Sequence, residues 1–281
     1  MIHVEKLSKS FGRKVIFDQI RFTAEKGEIT CLIGINGVGK TTLLKAIANL
    51  TPVNSGQVTI DGEPLRAQQY RDIVFIPDVL PMAPSFSIQE AIDFMKDFYP
   101  NWNNERCSEL LTFFRLDQHQ KLSHLSKGNV AKVNLVLGLS VDSCYILMDE
   151  PFSGIDIFSR EEIASLFSSG FLEDKGILVT THEIRDIEHL IDKAVLLKDG
   201  TVVKEFYTED LRLEEGKSIE DVMRDIYINH ARGLSSSHFF HLIICCNLKT
   251  FFFDFISRKG LIQMHAANCV TFRCWDKVFK L

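Results

Sequence analysis

The run Gly34-Ile35-Asn36-Gly37-Val38-Gly39-Lys40-Thr41-Thr42 fits the order G-x-x-x-x-G-K-[ST]. That order suits the binding of a triphosphate. Glycines at 34, 37 and 39 open backbone conformations closed to residues with a Cβ. The N–H groups of the loop, from Gly34 through Asn36, Val38 and Gly39 to Thr42, can then turn inward on phosphate oxygens. Lys40 reaches the β- and γ-phosphates, and Thr41 offers a hydroxyl to Mg²⁺. A helix starting near Lys40 points its positive dipole end at the same anion. Farther along, Asp149 and Glu150 supply two adjacent carboxylates. Asp149 is suited to holding Mg²⁺ through water, and Glu150 to polarising the water that attacks the γ-phosphate. A solvated acidic turn is the competing reading of that pair.

These groups need elements that bring them together. Ile29-Thr30-Cys31-Leu32-Ile33 reads as a buried strand before the glycine loop, and Leu43, Leu44, Ile47 and Leu50 recur at helical spacing after it. Cys144 to Met148 is a second apolar strand ending at Asp149-Glu150, and Ile177 to Thr181 a third, ending at His182. Strand-end carboxylates lie where the ligand crevice of a parallel sheet is found. A fourth apolar run, Ile73 to Ile76, leads through Pro77 to Asp78. Ile2 to Leu7, Val15 to Phe22 and Gln57 to Ile60 read as strands of an antiparallel edge, with Asp61-Gly62 as a hairpin turn. From about Ser87 to Val141 the pattern is helical: Ile88, Ala91, Ile92 and Met95 share a face, and Leu110, Leu111, Phe113 and Phe114 do so more loosely.

Between the glycine loop and the carboxylate pair lies Leu125-Ser126-Lys127-Gly128-Asn129, which resembles the L-S-G-G-Q signature of ATP-binding cassette (ABC) ATPases. The form L-S-K-G-N is similar to that of cassettes in bacterial exporters of peptide antibiotics. Taken alone, the pentapeptide also reads as a helix start capped by Ser126. The resemblance implies that Ser126 and Gly128 contact the γ-phosphate of ATP bound to an opposite subunit. Ser153-Gly154-Ile155-Asp156 resembles the D-loop, which in the family crosses the dimer interface, and His182 matches the switch histidine that contacts the γ-phosphate. Phe11, in Ser8-Lys9-Ser10-Phe11-Gly12, fits the aromatic position that stacks on adenine, with a core role as the other reading. Asp78 departs from the pattern, because the family usually carries there a glutamine that touches Mg²⁺ and senses the membrane partner. A carboxylate still binds Mg²⁺, but it cannot donate a hydrogen bond.

The resemblance covers residues 1 to about 227. It implies an α/β fold: a P-loop NTPase core with a mostly parallel sheet, an antiparallel β edge subdomain around the adenine, and an inserted helical signature subdomain at about 87–141. In the family, a transmembrane permease subunit docks between that lobe and the core. Pro81 to Phe86 and Phe98 to Trp102 are candidate walls, with buried core as the competing reading of each aromatic. ATP and Mg²⁺ are the implied cofactors. No internal repeat is visible, so the second cassette, identical or different, must come from another chain. Two function classes follow: the energy-supplying ATPase subunit of a membrane transporter, tilted by its signature towards export, and a soluble cassette ATPase acting on the ribosome or DNA. The latter's relatives usually carry two cassettes or long coiled-coil insertions, and neither is present.

Composition agrees with a cytoplasmic catalytic body. Of the 281 residues 46% are hydrophobic, enough for a substantial core. The start, Met1-Ile2-His3-Val4, reads directly as a strand, without a basic or apolar leader. Peripheral attachment to the inner face of the cell membrane would come through the permease. Cys31, Cys107 and Cys144 are scattered singly, which fits a reducing compartment. From residue 228 onward the composition changes. Seven basic residues against Asp254 and Asp276 give 228–281 a net charge of +5, leaving −10 on residues 1–227 of the overall −5. The acidic body argues against nucleic-acid binding. The tail is Phe-rich and holds Cys245, Cys246, Cys269 and Cys274. Three readings compete for it: a membrane-surface anchor, a metal site with His238, His241 or His265, and an idiosyncratic extension dispensable for ATP hydrolysis. The last is favoured, because the cysteine spacing forms no paired zinc pattern and Asn247, Lys249 and Asp254 interrupt the Phe239 to Ile256 run.

Overall fold

In the computed structural model, residues 1–65, 71–182, 184–185, and 187–228 are described. The architecture below is that of the compact unit Met1–Arg224. The expectations for the tail lie outside the described residues.

A six-stranded sheet is built from apolar runs. Its order is β10-β9-β3-β8-β7-β6, with β3 (Ile29–Ile33), β6 (Ile73–Ile76), β7 (Tyr145–Asp149), β8 (Gly176–Thr181), β9 (Lys193–Lys198) and β10 (Thr201–Tyr207). All neighbours pair in parallel except β10 with β9. Strands β7 and β8 are buried at every residue, as expected for a parallel sheet covered on both faces. The hairpin joining β9 and β10 turns at Asp199-Gly200, both at positive φ, a pair that matches the twist of the flanking strands.

The expected antiparallel subdomain is present as a four-stranded sheet of its own. Its order is β2-β1-β4-β5, with β1 (Ile2–Phe11), β2 (Lys14–Ala24), β4 (Ser55–Ile60) and β5 (Glu63–Pro64). Strand β1 runs four residues beyond the apolar stretch that ends at Leu7, through register shifts that keep it paired with β2 as far as Phe11. The expected turn at Asp61-Gly62 is present, with φ of 51° and 85°. Helix α1 (Lys40–Ile47) is sandwiched between the two sheets. Leu43, Leu44 and Ile47 join Leu32, Leu147 and Leu178 on one side and Ile2, Phe17 and Ile60 on the other in a single core.

The helical lobe comprises α2 (Ile88–Phe98), α3 (Asn104–Phe113) and α4 (Lys127–Leu139). A capping box starts α2: the Ser87 hydroxyl accepts from Glu90 N–H, and the Glu90 carboxylate accepts from Ser87 N–H. Asn103 caps α3 and Ser126 caps α4, whose middle is buried from Lys132 to Leu139. On α3, Leu110 and the following Phe114 are buried, whereas Phe113 turns outward and meets Phe114 and Phe171 edge to face. Beyond the lobe, α5 (Ile157–Phe167) is capped by Asp156, and a helical turn α6 (Thr208–Asp210) and a terminal helix α7 (Ile219–Ile228) follow.

Candidate functional site

The register of the parallel sheet collects the candidate residues at one edge. Ile33 lies opposite Thr181, Asp149 opposite Thr180, and Ile76 opposite Met148. The residues following these strand ends are Gly34, His182, Glu150 and the Pro77-Asp78 pair, so all four leave the sheet on the same side. Residues 34–39 span from β3 to α1. Gly39 carries φ of 108°, and a Cβ there would stand 2.9 Å from Ile16 Cγ2, which closes the position to other residues.

Within this crevice the polar groups form two connected chains. Thr41 Oγ1 donates to Asp149 Oδ1 at 2.9 Å, and Thr180 Oγ1 donates to the same oxygen at 2.8 Å. Both hydroxyls converge on Oδ1, so among the described residues Oδ2 of the buried Asp149 has no protein donor. The second chain runs from Lys40 through Glu150 to His182. Lys40 Nζ donates to the Gly34 carbonyl at 2.8 Å and lies 3.4 Å from Glu150 Oε1. Glu150 Oε2 sits 2.7 Å from His182 Nδ1 and accepts from His182 N–H at 3.2 Å. Glu150 itself has φ of 51°, an uncommon conformation for a residue with a Cβ, of the kind concentrated at functional sites. Its N–H donates to Thr180 Oγ1 at 3.0 Å, so Thr180 bonds at once to the Asp149 carboxylate and to the Glu150 backbone.

Asp78 shares this electrostatic environment. Burial, and then the negative charges of Asp149 and Glu150, raise its carboxyl pKa above the usual range. Burial pushes the Cys31 thiol well above its ordinary range, with the Glu150 charge adding to the effect, so Cys31 is no nucleophile here. The oxygens of Thr41 and Asp149 are hard ligands of the kind Mg²⁺ takes. Among the described residues no group of three His, Cys, Asp or Glu could hold a metal by itself.

The remaining candidates stand apart from these chains. Ser126 accepts from Asn129 N–H at 3.2 Å as the cap of α4. Gly128 packs onto the start of α5, where a Cβ would lie 2.1 Å from Ser159 Oγ. Among the described residues neither bonds to the loop 34–42. Phe11 is 54% exposed at the end of β1, so the core reading of this residue fails. A cavity of about 440 Å³ opens between the Asp78 segment, the start of α4 and Ser153–Ile155, with Val79, Met82, Pro84 and Leu125 in its lining. Phe98 is 65% exposed and stacks on Phe94 at 4.6 Å, so it too lies outside the core.

Sequence reasoning missed Thr180 and Asn134. The Thr180 hydroxyl in β8 donates to the Asp149 carboxylate and accepts from the Glu150 N–H, and its only signal is a polar residue one place before the end of an apolar strand. Asn134, buried in α4, donates from Nδ2 to the Pro77 carbonyl at 2.5 Å. That contact ties the signature helix to the residue before Asp78.

Comparison with known proteins places this geometry. The family model for ABC transporters matches residues 17–153. The chain is 29% identical over 217 residues to the ABC transporter ATP-binding protein YtrB of Bacillus subtilis, covering 76% of this chain and 74% of that protein. It is 31% identical over 214 residues to an uncharacterised ABC transporter ATP-binding protein of Methanocaldococcus jannaschii, covering 75% and 79%. A solved ATP-binding subunit of an ABC transporter superposes with a TM-score of 0.71 at 25% identity, covering 80% of this chain and 98% of that one. Other matched proteins are named for import and for export alike.

Proposed function

This chain belongs to the ABC transporter family of ATP-binding cassettes and is an ABC-type ATPase; on that premise we propose that it powers a multi-subunit membrane transporter, as an exporter. The two polar chains on the strand-end edge carry this reading. Lys40 and the loop N–H groups from Gly34 to Thr42 hold the triphosphate of ATP, and Phe11 stacks on its base. Thr41 and Asp149 would hold Mg²⁺, with Asp78 near enough to join them; when bound, the ion neutralises charge on the β- and γ-phosphates. Glu150 takes a proton from the attacking water, and His182 keeps that carboxylate oriented through its Nδ1 and N–H contacts.

The separation of Ser126 and Gly128 from this crevice supports a site completed by a second cassette, whose own signature residues would face the γ-phosphate. Hydrolysis removes that shared contact and lets the dimer open, a two-state switch able to drive a bound permease. Among the described residues no helix is long and apolar enough to cross a membrane, and this reading assigns the membrane path to the permease. The chain would sit on the inner face of the membrane, held there through that subunit, in the groove flanked by Met82 and Pro84. The L-S-K-G-N signature favours export.

The test is recovery of the tagged full chain from detergent-solubilised membranes of its native host. A stoichiometric polytopic membrane protein is the expected partner. Recovery only with ribosomal or DNA-associated proteins would overturn the transporter reading in favour of a soluble cassette ATPase.

A further inference from the structure

Behind the exposed ring of Phe11 lies a buried cation. Lys9 is 6% exposed, and its ammonium stands 4.5 Å from the centroid of the Phe11 ring. The same Nζ donates to the Pro52 carbonyl at 2.5 Å. On either side of Lys9 the strand is fastened to that segment: Ser10 N–H donates to Asn54 Oδ1 at 2.6 Å, and Asn54 N–H donates to the Ser8 carbonyl at 2.8 Å. An ammonium withdrawn from water needs compensation. Among the described residues Lys9 has no carboxylate within ion-pair distance, so a carbonyl dipole and a ring face supply it.

We propose that Lys9 is a positioning residue for the base of a purine nucleotide, holding Phe11 from behind while the ring's outer face takes the purine. The inference rests on the reading of Phe11 as the base-stacking residue. Two physical effects support it. First, an exposed phenyl ring has free rotamers to lose on binding, and the cation beneath it fixes the ring beforehand, so less ordering remains for the ligand to impose. Second, the ammonium attracts π density to the inner face and leaves the outer face poorer in electrons. A purine, larger and richer in electrons than a pyrimidine, gains more from stacking on such a face.

Calorimetric titration of the full chain with ATP, UTP and inorganic tripolyphosphate, each with Mg²⁺, tests this. Tripolyphosphate lacks a base, so it reports on the glycine loop alone. Lys9→Gln keeps a donor for the Pro52 carbonyl while removing the charge, and Lys9→Arg keeps a cation that can lie over the ring. ATP affinity is expected to fall about tenfold in Lys9→Gln, with the smaller loss for UTP, and to stay near normal in Lys9→Arg. Tripolyphosphate affinity should not move in either. Phe11→Leu should weaken ATP similarly, and adding Lys9→Gln to it should cost nothing more. Normal ATP binding by Lys9→Gln beside a weakened Phe11→Leu overturns the inference and leaves the stacking role of Phe11 standing. Normal ATP binding by Phe11→Leu overturns the stacking role and the inference with it. Parallel loss of ATP and tripolyphosphate in Lys9→Gln would make Lys9 a purely structural residue and also overturn the inference.

Discussion

Replacing Glu150 by Gln should lower stability and turnover while raising nucleotide affinity. Lys40 Nζ is shared between Glu150 Oε1 at 3.4 Å and the Gly34 carbonyl at 2.8 Å, and both side chains are largely withdrawn from water. At an effective dielectric constant of ~20, two unit charges at that separation attract by about 5 kcal/mol, and desolvation of the pair cancels most of it. A net contribution of about 1–2 kcal/mol remains, because the amide keeps the size of the side chain and can still accept from Lys40. For a unit of this length each kcal/mol moves Tm by about 2–4 °C, so Glu150→Gln is expected to melt roughly 2–8 °C lower. In the proposed binding mode the phosphates of ATP compete with Glu150 for the same ammonium. Removing the competitor should therefore tighten ATP by roughly 5–30-fold. Hydrolysis should fall by about 10²–10⁴, as for loss of a general base. Scanning calorimetry, ATP titration and phosphate release measure the three quantities. Unchanged Tm together with unchanged or weaker ATP affinity would refute the competition between Glu150 and phosphate, and near-normal turnover would remove Glu150 from the role of base.

Asp78→Asn should raise Tm at pH 7, since its folded-state pKa is raised by burial and by Asp149 and Glu150. A raised carboxyl pKa means that the ionised form costs stability above the unfolded value. The gain should shrink as pH falls through the folded value towards ~4, and a pH-independent gain would contradict the electrostatic origin. Gly128→Ala would place a Cβ 2.1 Å from Ser159 Oγ and 2.7 Å from Ser159 Cβ. A loss of about 1–3 kcal/mol in urea unfolding is expected, partly restored by Ser159→Gly; unaltered stability would mean that α4 and α5 separate freely there. Asn134→Leu strips the Pro77 carbonyl of its donor, which should cost about 1–3 kcal/mol in the same assay, and a loss under ~0.5 would argue that water replaces the amide.

Much of the fold was legible because its chemistry constrains residue types at fixed spacing. The loop needs glycine where Gly37 and Gly39 take positive φ, and β3, β7 and β8 read as mostly apolar runs because they are buried on both faces. The parts that escaped lack such a constraint. The second half of β1, Ser8-Lys9-Ser10-Phe11, is mostly polar, yet backbone pairing with β2 holds it through two register shifts, between Leu7 and Lys9 and between Lys9 and Ser10. Lys9 reads as a solvated charge in sequence, and the carbonyl that buries it is 43 residues away at Pro52. Phe11 was open between core and ligand, and only its exposure decides against the core. The β9–β10 hairpin, by contrast, carries the same Asp-Gly signal as Asp61-Gly62, at Asp199-Gly200, and sequence reasoning missed it.

The fastenings of α4 give a physical basis for linking Asp78 to the signature. At its start Gly128 packs on Ser159, and a turn later the buried Lys132 pairs with Glu162, so α4 and α5 are held together. In its middle Asn134 grips Pro77, and Gly138 faces Ile76, where a Cβ would come within 2.4 Å. Helix α4 is therefore fastened at its start to α5 and in its middle to the end of β6, next to Asp78. With Asp149 and Glu150 beside it, Asp78 is repelled by its own site and attracted by any cation entering there. A cation entering there would meet in Asp78 a charge that the neutral amide of a glutamine lacks.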